Sequence, residues 1–404
     1  MTVKIEKGKA KGVVTAPPSK SMAHRSLICA ALTEKSTVRG VDLSEDIRAT
    51  LSCLEALGAD VEINGDTVTL GGIGRNPLKK NGLFCNESGS TLRFMIPLCL
   101  MKNEEITLSG SQRLFERPNK IYADVCAEQR LLFQQTEKGI TVKGRLSSGE
   151  YVIPGDVSSQ FISGLMFVLP LLEGDSRITL TGKTESRSYI SLTVKALSDF
   201  GVHIEQTSYD TYCIKGGQSY ESRDVTVEGD YSNAAFFEAL NFLGGQLEIK
   251  GLDENSLQGD RVYSQLFPLL EKGKADIDIS DCPDLAPVLF ALAAAKNGGL
   301  FTGTRRLRIK ESDRAEAMKE ELSKLGIGVI VDENSVEIEK GELTAPVETL
   351  HGHNDHRIVM ALSVLCTLTG GSIDEAESVR KSFPDFFERL EETGIKIKRC
   401  KNET

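Results

Sequence analysis

Apolar residues gather in six separated stretches whose spacing predicts buried helices: residues 25–32, 91–101, 160–172, 233–243, 285–296 and 357–369. Each opens on small or polar residues suited to capping a helix. The openings are Ser19-Lys20-Ser21, Glu87-Ser88-Gly89-Ser90, Ser158-Ser159-Gln160, Asp230-Tyr231-Ser232-Asn233, Asp281-Cys282-Pro283-Asp284 and Asn354-Asp355-His356-Arg357. After each stretch comes a short β-rich phrase, clearest at 106–110 (ITLSG), 178–182 (ITLTG), 247–251 (LEIKG) and 300–303 (LFTG), with a shorter one at 37–40 and a weaker one at 371–373. Between the last residues of successive phrases the intervals are 70, 72, 69, 52 and 70 residues. A second helix follows each phrase. In several copies a strand introduced by glycine comes next, as after Gly58, Gly201 and Gly326.

A near-constant period across the chain predicts six copies of one unit ordered helix, strand, helix, strands. That alternation points to mixed α/β units rather than a helical solenoid, and six copies divide into two domains of three, with a break near Glu228-Gly229-Asp230. A Lys/Pro-containing join at 76–81 separates copies without being a true linker.

Composition narrows the class. The 404 residues are 40% hydrophobic and 26% charged, which argues against disorder, and 48 Lys and Arg against 58 Asp and Glu leave a net charge of -10. A nucleic-acid surface is excluded on that balance, so any basic site must be local. The longest uncharged stretches fall short of the roughly 18 apolar residues of a membrane span, and the start of the chain has no apolar segment of the kind a signal peptide needs. The nine cysteines form no CxxC pair and no zinc spacing, and are expected to be reduced core residues of a cytoplasmic protein.

The candidate chemistry lies at the helix starts. A helix N-terminus presents unpaired N–H groups and the positive end of the macrodipole, which favours phosphate or carboxylate. Capping alone accounts for Ser, Asp and Gly there, but not for the cations Lys20, Arg25, Arg93 and Arg357 beside them, nor for Arg117, Lys310, Arg314 and Lys381 nearby. Gly89 permits close approach of a ligand next to hydroxyls and an arginine, although its surroundings match no nucleotide-binding loop. The run 306–314 (RLRIKESDR) reads in two ways: as a solvated, charge-alternating helix face, or as Lys310 and Arg314 sharing a face at i,i+4 around a carboxylate tuned for proton transfer. His351, His353 and His356 gather near Asp355, but no further ligands stand at usable spacing, and no metal is expected.

Several motifs in order carry a resemblance: Pro18-Ser19-Lys20-Ser21-Met22-Ala23-His24-Arg25, Ser88-Gly89-Ser90-Thr91-Leu92-Arg93, Leu114-Phe115-Glu116-Arg117-Pro118, Ser158-Ser159-Gln160-Phe161, Pro283-Asp284-Leu285-Ala286, Lys310-Glu311-Ser312-Asp313-Arg314, Asp355-His356-Arg357 and Lys381-Ser382-Phe383-Pro384-Asp385. On these the chain resembles the 5-enolpyruvylshikimate-3-phosphate synthase family (3-phosphoshikimate 1-carboxyvinyltransferases) among the enolpyruvyl transferases. The resemblance implies an α/β fold of two domains, each an inside-out α/β barrel of three βαβαββ repeats, closing over a cleft. Residues 19–228 would contribute mainly the shikimate 3-phosphate site. Residues 229–404, with 1–18 packed against them, would contribute acid/base and phosphoenolpyruvate-binding groups. It also implies transfer of the enolpyruvyl group of phosphoenolpyruvate to the 5-hydroxyl of shikimate 3-phosphate through a tetrahedral intermediate, in aromatic amino-acid biosynthesis, with no cofactor.

Carried over by motif, Lys20, Ser21, Arg25, Ser158, Ser159, Gln160, Ser186, Tyr189, Asp284 and Lys310 would hold shikimate 3-phosphate. Lys20, Gly89, Arg117, Gln160, Arg314, Arg357 and Lys381 would hold phosphoenolpyruvate. Asp284 would be the base for the hydroxyl and Glu311 the acid at the methylene carbon, with Lys20 and His356 assisting at the leaving phosphate. The partners expected are these two small molecules, with no nucleic acid, no membrane and a monomeric chain. UDP-N-acetylglucosamine enolpyruvyl transferases are the nearest rival, but they usually carry Lys-Asn where this chain has Lys20-Ser21, and the Cys-bearing glycine-rich loop is missing. A non-catalytic anion-binding protein of the same fold would be favoured had Asp284 or Glu311 been lost. Two positions depart from the commoner family pattern, Glu87 and Arg306, each standing where many members have Asn. Gly89 is retained, which implies that glyphosate inhibits; turnover unchanged at high glyphosate concentration would refute this.

Overall fold

A computed structural model describes residues 1–400. The chain divides into two compact units, one of Met1–Pro17 with Gly229–Thr404 and one of Pro18–Glu228. Each has its own continuous hydrophobic core.

The six apolar stretches form the helices Lys20–Ala31, Gly89–Cys99, Ser159–Val168, Tyr231–Phe242, Ala286–Ala295 and His356–Thr369. Each begins a few residues upstream of its apolar run or, at Ala286, one residue after the run begins. The early starts follow from capping: the Ser19, Ser88, Ser158, Asp230 and Asp355 side chains accept N–H groups of the first turn. Before Ala286 the 3-10 turn Pro283–Leu285 takes the place of a side-chain cap. These helices are buried nearly all round, as Ala286–Ala295 (APVLFALAAA) requires, because every face is apolar.

In the Pro18–Glu228 unit three four-stranded sheets share one pattern, in which the phrase strand pairs parallel with an edge strand and antiparallel with a hairpin. The first sheet takes its edge strand, Asp224–Thr226, from the far end of the unit, in register with Thr37, Val38 and Arg39. Chain order thus closes on itself.

The other unit departs from the uniform copy expected of the repeat. Among the described residues only its middle copy (strands Ala275–Asp278, Gly299–Thr302, Val329–Val331 and Ser335–Ile338) forms the full four-stranded sheet. The fourth copy has no hairpin, and the helix Tyr263–Lys272 leads directly into Ala275–Asp278. This accounts for the single short interval of 52 residues. The N-terminal segment supplies what the outer copies lack. Lys11–Thr15 pairs parallel with Gln246–Lys250, and Thr2–Ile5 lies antiparallel between Gly371–Ile373 and Ile397–Cys400.

The helices Gly89–Cys99 and Ser159–Val168 make the most intimate helix pair in the Pro18–Glu228 unit. Gly164 lets them approach: a Cβ there would fall 2.1 Å from Tyr122 Oη and 2.7 Å from Arg93 O. Tyr122 donates to that same carbonyl at 2.8 Å and to Phe161 O at 3.1 Å. No helix among the described residues is long and apolar enough to cross a membrane. Gly164→Ala must break the Tyr122 bonds or spread the helices, so it is expected to destabilise this unit by about 1–3 kcal/mol, read as a lowered thermal midpoint.

Candidate active site

In the Pro18–Glu228 unit three helix starts bring the expected residues together. Lys20 opens the first helix, and its Nζ sits 2.8 Å from Asp46 Oδ2 on the neighbouring helix Glu45–Ala56. Behind it a chain of buried side chains ties the starts to one another. His24 Nδ1 meets Thr50 Oγ1 at 2.8 Å, Thr50 meets Thr91 at 2.7 Å, and Thr91 donates to the cap oxygen of Ser88 at 2.7 Å. Burial, with the charges of Lys20 and Arg25, pushes the His24 imidazole well below its usual range, so the ring serves this chain in its neutral form.

Arg25 is 2% exposed. Its Nε donates to Thr193 Oγ1 at 2.8 Å, Nη1 to Ser21 O at 2.8 Å and Nη2 to Tyr189 O at 3.0 Å, and its guanidinium carbon lies 5.3 Å from the centre of the Phe94 ring. Among the described residues no carboxylate pairs with it, and burial pulls its pKa down to about 10. A buried cation satisfied only by neutral acceptors leaves positive field to spare, which suits an incoming anion.

Ser158 caps Ser159–Val168 through the Gln160 amide at 3.3 Å. The Gln160 amide group is held between Arg93 Nη1 at 2.6 Å and Ser90 Oγ at 2.9 Å. Gly89 has a measurable reason to be glycine, since a Cβ would fall 2.6 Å from Arg117 Nη1. Glu87 stands half-buried just before the Ser88 cap, where the positive end of the helix Gly89–Cys99 favours a carboxylate. Ser186 is held at φ 55° as it starts Arg187–Asp199, a conformation costly for a residue with a Cβ.

The second cluster lies in the other unit. Asp284, in the turn Pro283–Leu285, accepts Lys310 Nζ at 3.2 Å and Arg314 Nη1 at 2.9 Å on Oδ1, and Arg357 Nη2 at 3.2 Å on Oδ2. Burial opposes its charge, but Arg357, Lys310 and Arg314 outweigh burial and hold the carboxyl well below the usual carboxylate range. At Lys310 burial outweighs the Asp284 partner and pulls the ammonium down to about 8. Arg314 is 1% exposed and surrounded by carboxylates: Nε donates to Asp355 Oδ2 at 2.9 Å and Nη2 to Glu311 Oε2 at 2.9 Å, besides its bond to Asp284. Ser312 Oγ adds a bond to Asp355 Oδ2 at 3.1 Å. Asp355 in turn caps His356–Thr369 through the Arg357 amide at 2.9 Å, and Lys381 Nζ donates to Asn354 O at 2.5 Å.

Two sequence expectations change here. Lys310 and Arg314 do not share a helix face: the 3-10 turn Arg305–Ile309 ends at Lys310, whose backbone is extended, and the next helix begins only at Arg314. The two cations meet because both reach Asp284, and the run is largely half-buried, with Arg306, Leu307 and Arg314 buried and Arg308 exposed. The histidines do find carboxylates, contributed by distant elements. Glu320 and Glu321 bring ligand atoms within 4.8 Å of one another with His353, as do Asp374 and Glu375 with His351. Glu321 is already taken by Lys324 at 2.8 Å, His353 at 3.0 Å and the His351 amide at 2.8 Å, which makes that grouping a brace for the turn before Asp355. Sequence reasoning passed over Asp46, Thr50, Thr193 and Asp355 as site residues; of these only Asp355 carried a signal, as a cap beside two cationic motifs.

The EPSP synthase family model, described as 3-phosphoshikimate 1-carboxyvinyltransferase, matches residues 5–390. The chain belongs to the EPSP synthase family. Among its relatives, the 3-phosphoshikimate 1-carboxyvinyltransferase of Clostridium kluyveri is 41% identical, over 98% of this chain and 98% of that protein. The Clostridium perfringens protein of the same name is 38% identical over 96% of this chain and 97% of its own length. The fold is that of EPSP synthase from Acinetobacter baumannii, with a TM-score of 0.81 at 23% identity covering 98% of this chain and all of that one. It is also that of the enolpyruvyl transferase NikO from Streptomyces tendae, with a TM-score of 0.77 at 15% identity over 99% of this chain and 98% of that one.

In this EPSP synthase family member the buried Arg314 pairs with three carboxylates, the fully buried Asp355 and the part-buried Asp284 and Glu311, so its removal is expected to be severe. Arg314→Ala should cost about 3–5 kcal/mol at neutral pH. The Asp284 and Asp355 carboxyls are lowered in the folded state, so their stabilisation is present above the unfolded carboxylate pKa and lost as pH falls through the folded values. The deficit measured by urea denaturation should therefore shrink below about pH 4.

Proposed function

We propose that the chain transfers the enolpyruvyl group of phosphoenolpyruvate to the 5-hydroxyl of shikimate 3-phosphate, releasing phosphate and forming 5-enolpyruvylshikimate 3-phosphate. The observation that carries this reading is the near-full-length relation to proteins named for that reaction. The geometry supports it: one cluster has buried cation to spare, and the other holds an ionised carboxylate, Asp284, beside a second, Glu311, linked by Arg314.

The first cluster would take shikimate 3-phosphate. The Ser158 and Ser159 hydroxyls at a helix N-terminus suit its phosphate, and Arg25 suits its carboxylate, with Lys20, Ser21, Gln160, Ser186 and Tyr189 around them and Asp284 and Lys310 at the 5-hydroxyl that accepts the enolpyruvyl group. Lys20, Gly89, Arg117, Gln160, Arg314, Arg357 and Lys381 would take phosphoenolpyruvate. The lack of a Cβ at Gly89 lets the Arg117 guanidinium lie against the helix start, and a cation so placed also supports competition by the anion glyphosate.

In the addition step the 5-oxygen bonds to the central carbon of phosphoenolpyruvate while Asp284 accepts the hydroxyl proton and Glu311 delivers a proton to the methylene carbon. Elimination then breaks the bond to the phosphate oxygen. Glu311 takes a proton back from the new methyl group, the double bond re-forms, and phosphate leaves beside Lys20 and His356. The substrates' anionic groups compete for Arg314, Arg357 and Lys310, which loosens their hold on Asp284 and Glu311 at the moment those carboxyls must move protons. All nine cysteines are free thiols and seven are buried, which supports a reducing, cytoplasmic setting.

Purified protein mixed with both substrates and no added metal should release phosphate; failure to do so sinks the reading. Asp284→Asn and Glu311→Gln should each lower turnover by roughly 100-fold or more with shikimate 3-phosphate binding still measurable. If binding is lost while turnover at saturation is kept, those two residues are structural.

A further inference from the structure

Asp260 has no part in the roles above, yet it is among the most deeply placed carboxylates of its unit. It lies in the 3-10 turn Gly259–Val262, 4% exposed, and its Oδ1 is buried with no hydrogen-bond partner. The turn is pinned. Gln258 Nε2 donates to Gly229 O at 2.7 Å, its Oε1 accepts the Tyr231 amide at 3.0 Å, and its own amide donates to Ser256 Oγ at 3.1 Å. Arg261 Nη1 closes the loop by donating to Ser256 O at 2.8 Å. Asp260 is thereby held against the start of Tyr231–Phe242, and the ionisable groups that face it are Asp284, Arg357, Asp230 and Cys282, with the Ser232 hydroxyl beside them.

Two carboxylates buried in one region do not both ionise cheaply. Asp284 receives three cationic donors directly, whereas at Asp260 the field of Arg357 only partly offsets burial and the Asp284 charge. The proton of the pair therefore belongs on Asp260. We propose that Asp260 is a positioning residue for Asp284: it keeps a proton beside the ionised base and, by releasing it to solvent, sets how strongly Asp284 draws a proton from the substrate hydroxyl. Burial first, and then the Asp284 charge, push the Asp260 carboxyl up to about 7. With Asp260 neutral, Asp284 is held so low that it is a weak base; with Asp260 ionised, the added charge raises the proton affinity of Asp284. The catalytic part of this inference rests on Asp284 being the base, as proposed above.

Infrared difference spectra of the substrate-free wild-type protein, taken between about pH 5.5 and 8.5, should show a protonated-carboxyl band that disappears with a midpoint near 7 and is missing from Asp260→Asn. Absence of any such band already at about pH 5.5, or a band that persists in Asp260→Asn, overturns the proposal, and neither result depends on turnover. Should Asp260→Asn not fold, Asp260→Glu must move that midpoint, and an unmoved midpoint overturns the assignment equally. In the phosphate-release assay the kcat profile of Asp260→Asn should lose its inflection near neutral pH and fall roughly threefold to tenfold at about pH 8, with the KM for shikimate 3-phosphate changed by less than about twofold. Profiles that superimpose on wild type overturn the coupling to Asp284. Wild-type protein that releases no phosphate would sink the reaction assignment, while the infrared titration still decides the state of Asp260.

Discussion

A guanidinium keeps its charge at neutral pH and has five N–H groups to place, so a chain that buries one must surround it with acceptors. Each unit buries such a group near the start of its apolar helices, and the two solve the problem in opposite ways. Arg25 is met by the Thr193 hydroxyl, by the carbonyls of Ser21 and Tyr189 and by the face of Phe94, all neutral. Arg314 is met by Asp284, Glu311 and Asp355, all acidic. The first arrangement leaves positive potential over, and the second stores carboxylates beside a cation that an incoming anion can compete for. Anion capture and proton transfer are thus separated by the kind of acceptor that each arginine received.

The repeated architecture explains how so few residue types suffice. Each apolar helix must start somewhere, and a buried start needs a cap, so Ser19, Ser88, Ser158, Asp230 and Asp355 are structural before they are anything else. Within each unit the same starts offer unpaired N–H groups and the positive end of the helix dipole. Adding Lys20, Arg25, Arg93 or Arg357 within the next turn converts a cap into an anion site without altering the fold. A chain with net charge -10 can therefore carry cation clusters, because they are held by local geometry rather than by overall composition.

Much of this was legible in the chain. The six helices could be read because their apolar runs and caps are contiguous, and the strands because glycine ends five of the six phrases. The boundary errors were small: capping residues start most of the helices before the apolar run begins, and the third helix ends at Val168, where the 3-10 turn Leu169–Leu171 takes over. The run 306–314 was misread for a different reason. Spacing on paper assumed a helix through Lys310, but the chain there is extended, and what unites Lys310 with Arg314 is a carboxylate 26 to 30 residues away. The missing hairpin of the fourth copy was visible as one short interval, yet nothing local said that Lys11–Thr15 would lie beside Gln246–Lys250.

Alone, the sequence determined the repeat, the α/β class, the positions of the helix starts and the residue types gathered there, since all of these depend on neighbours within a turn or a strand. Only the tertiary structure decided which charges meet. Arg25 and its Thr193 acceptor are 168 residues apart, Arg314 and Asp355 are 41 apart, and Asp260 approaches Asp284 through a turn whose anchor is Gly229. Proton affinities follow those meetings. Burial and the sign of the nearest charge set whether a carboxyl is ionised, and neither exists until the chain has folded.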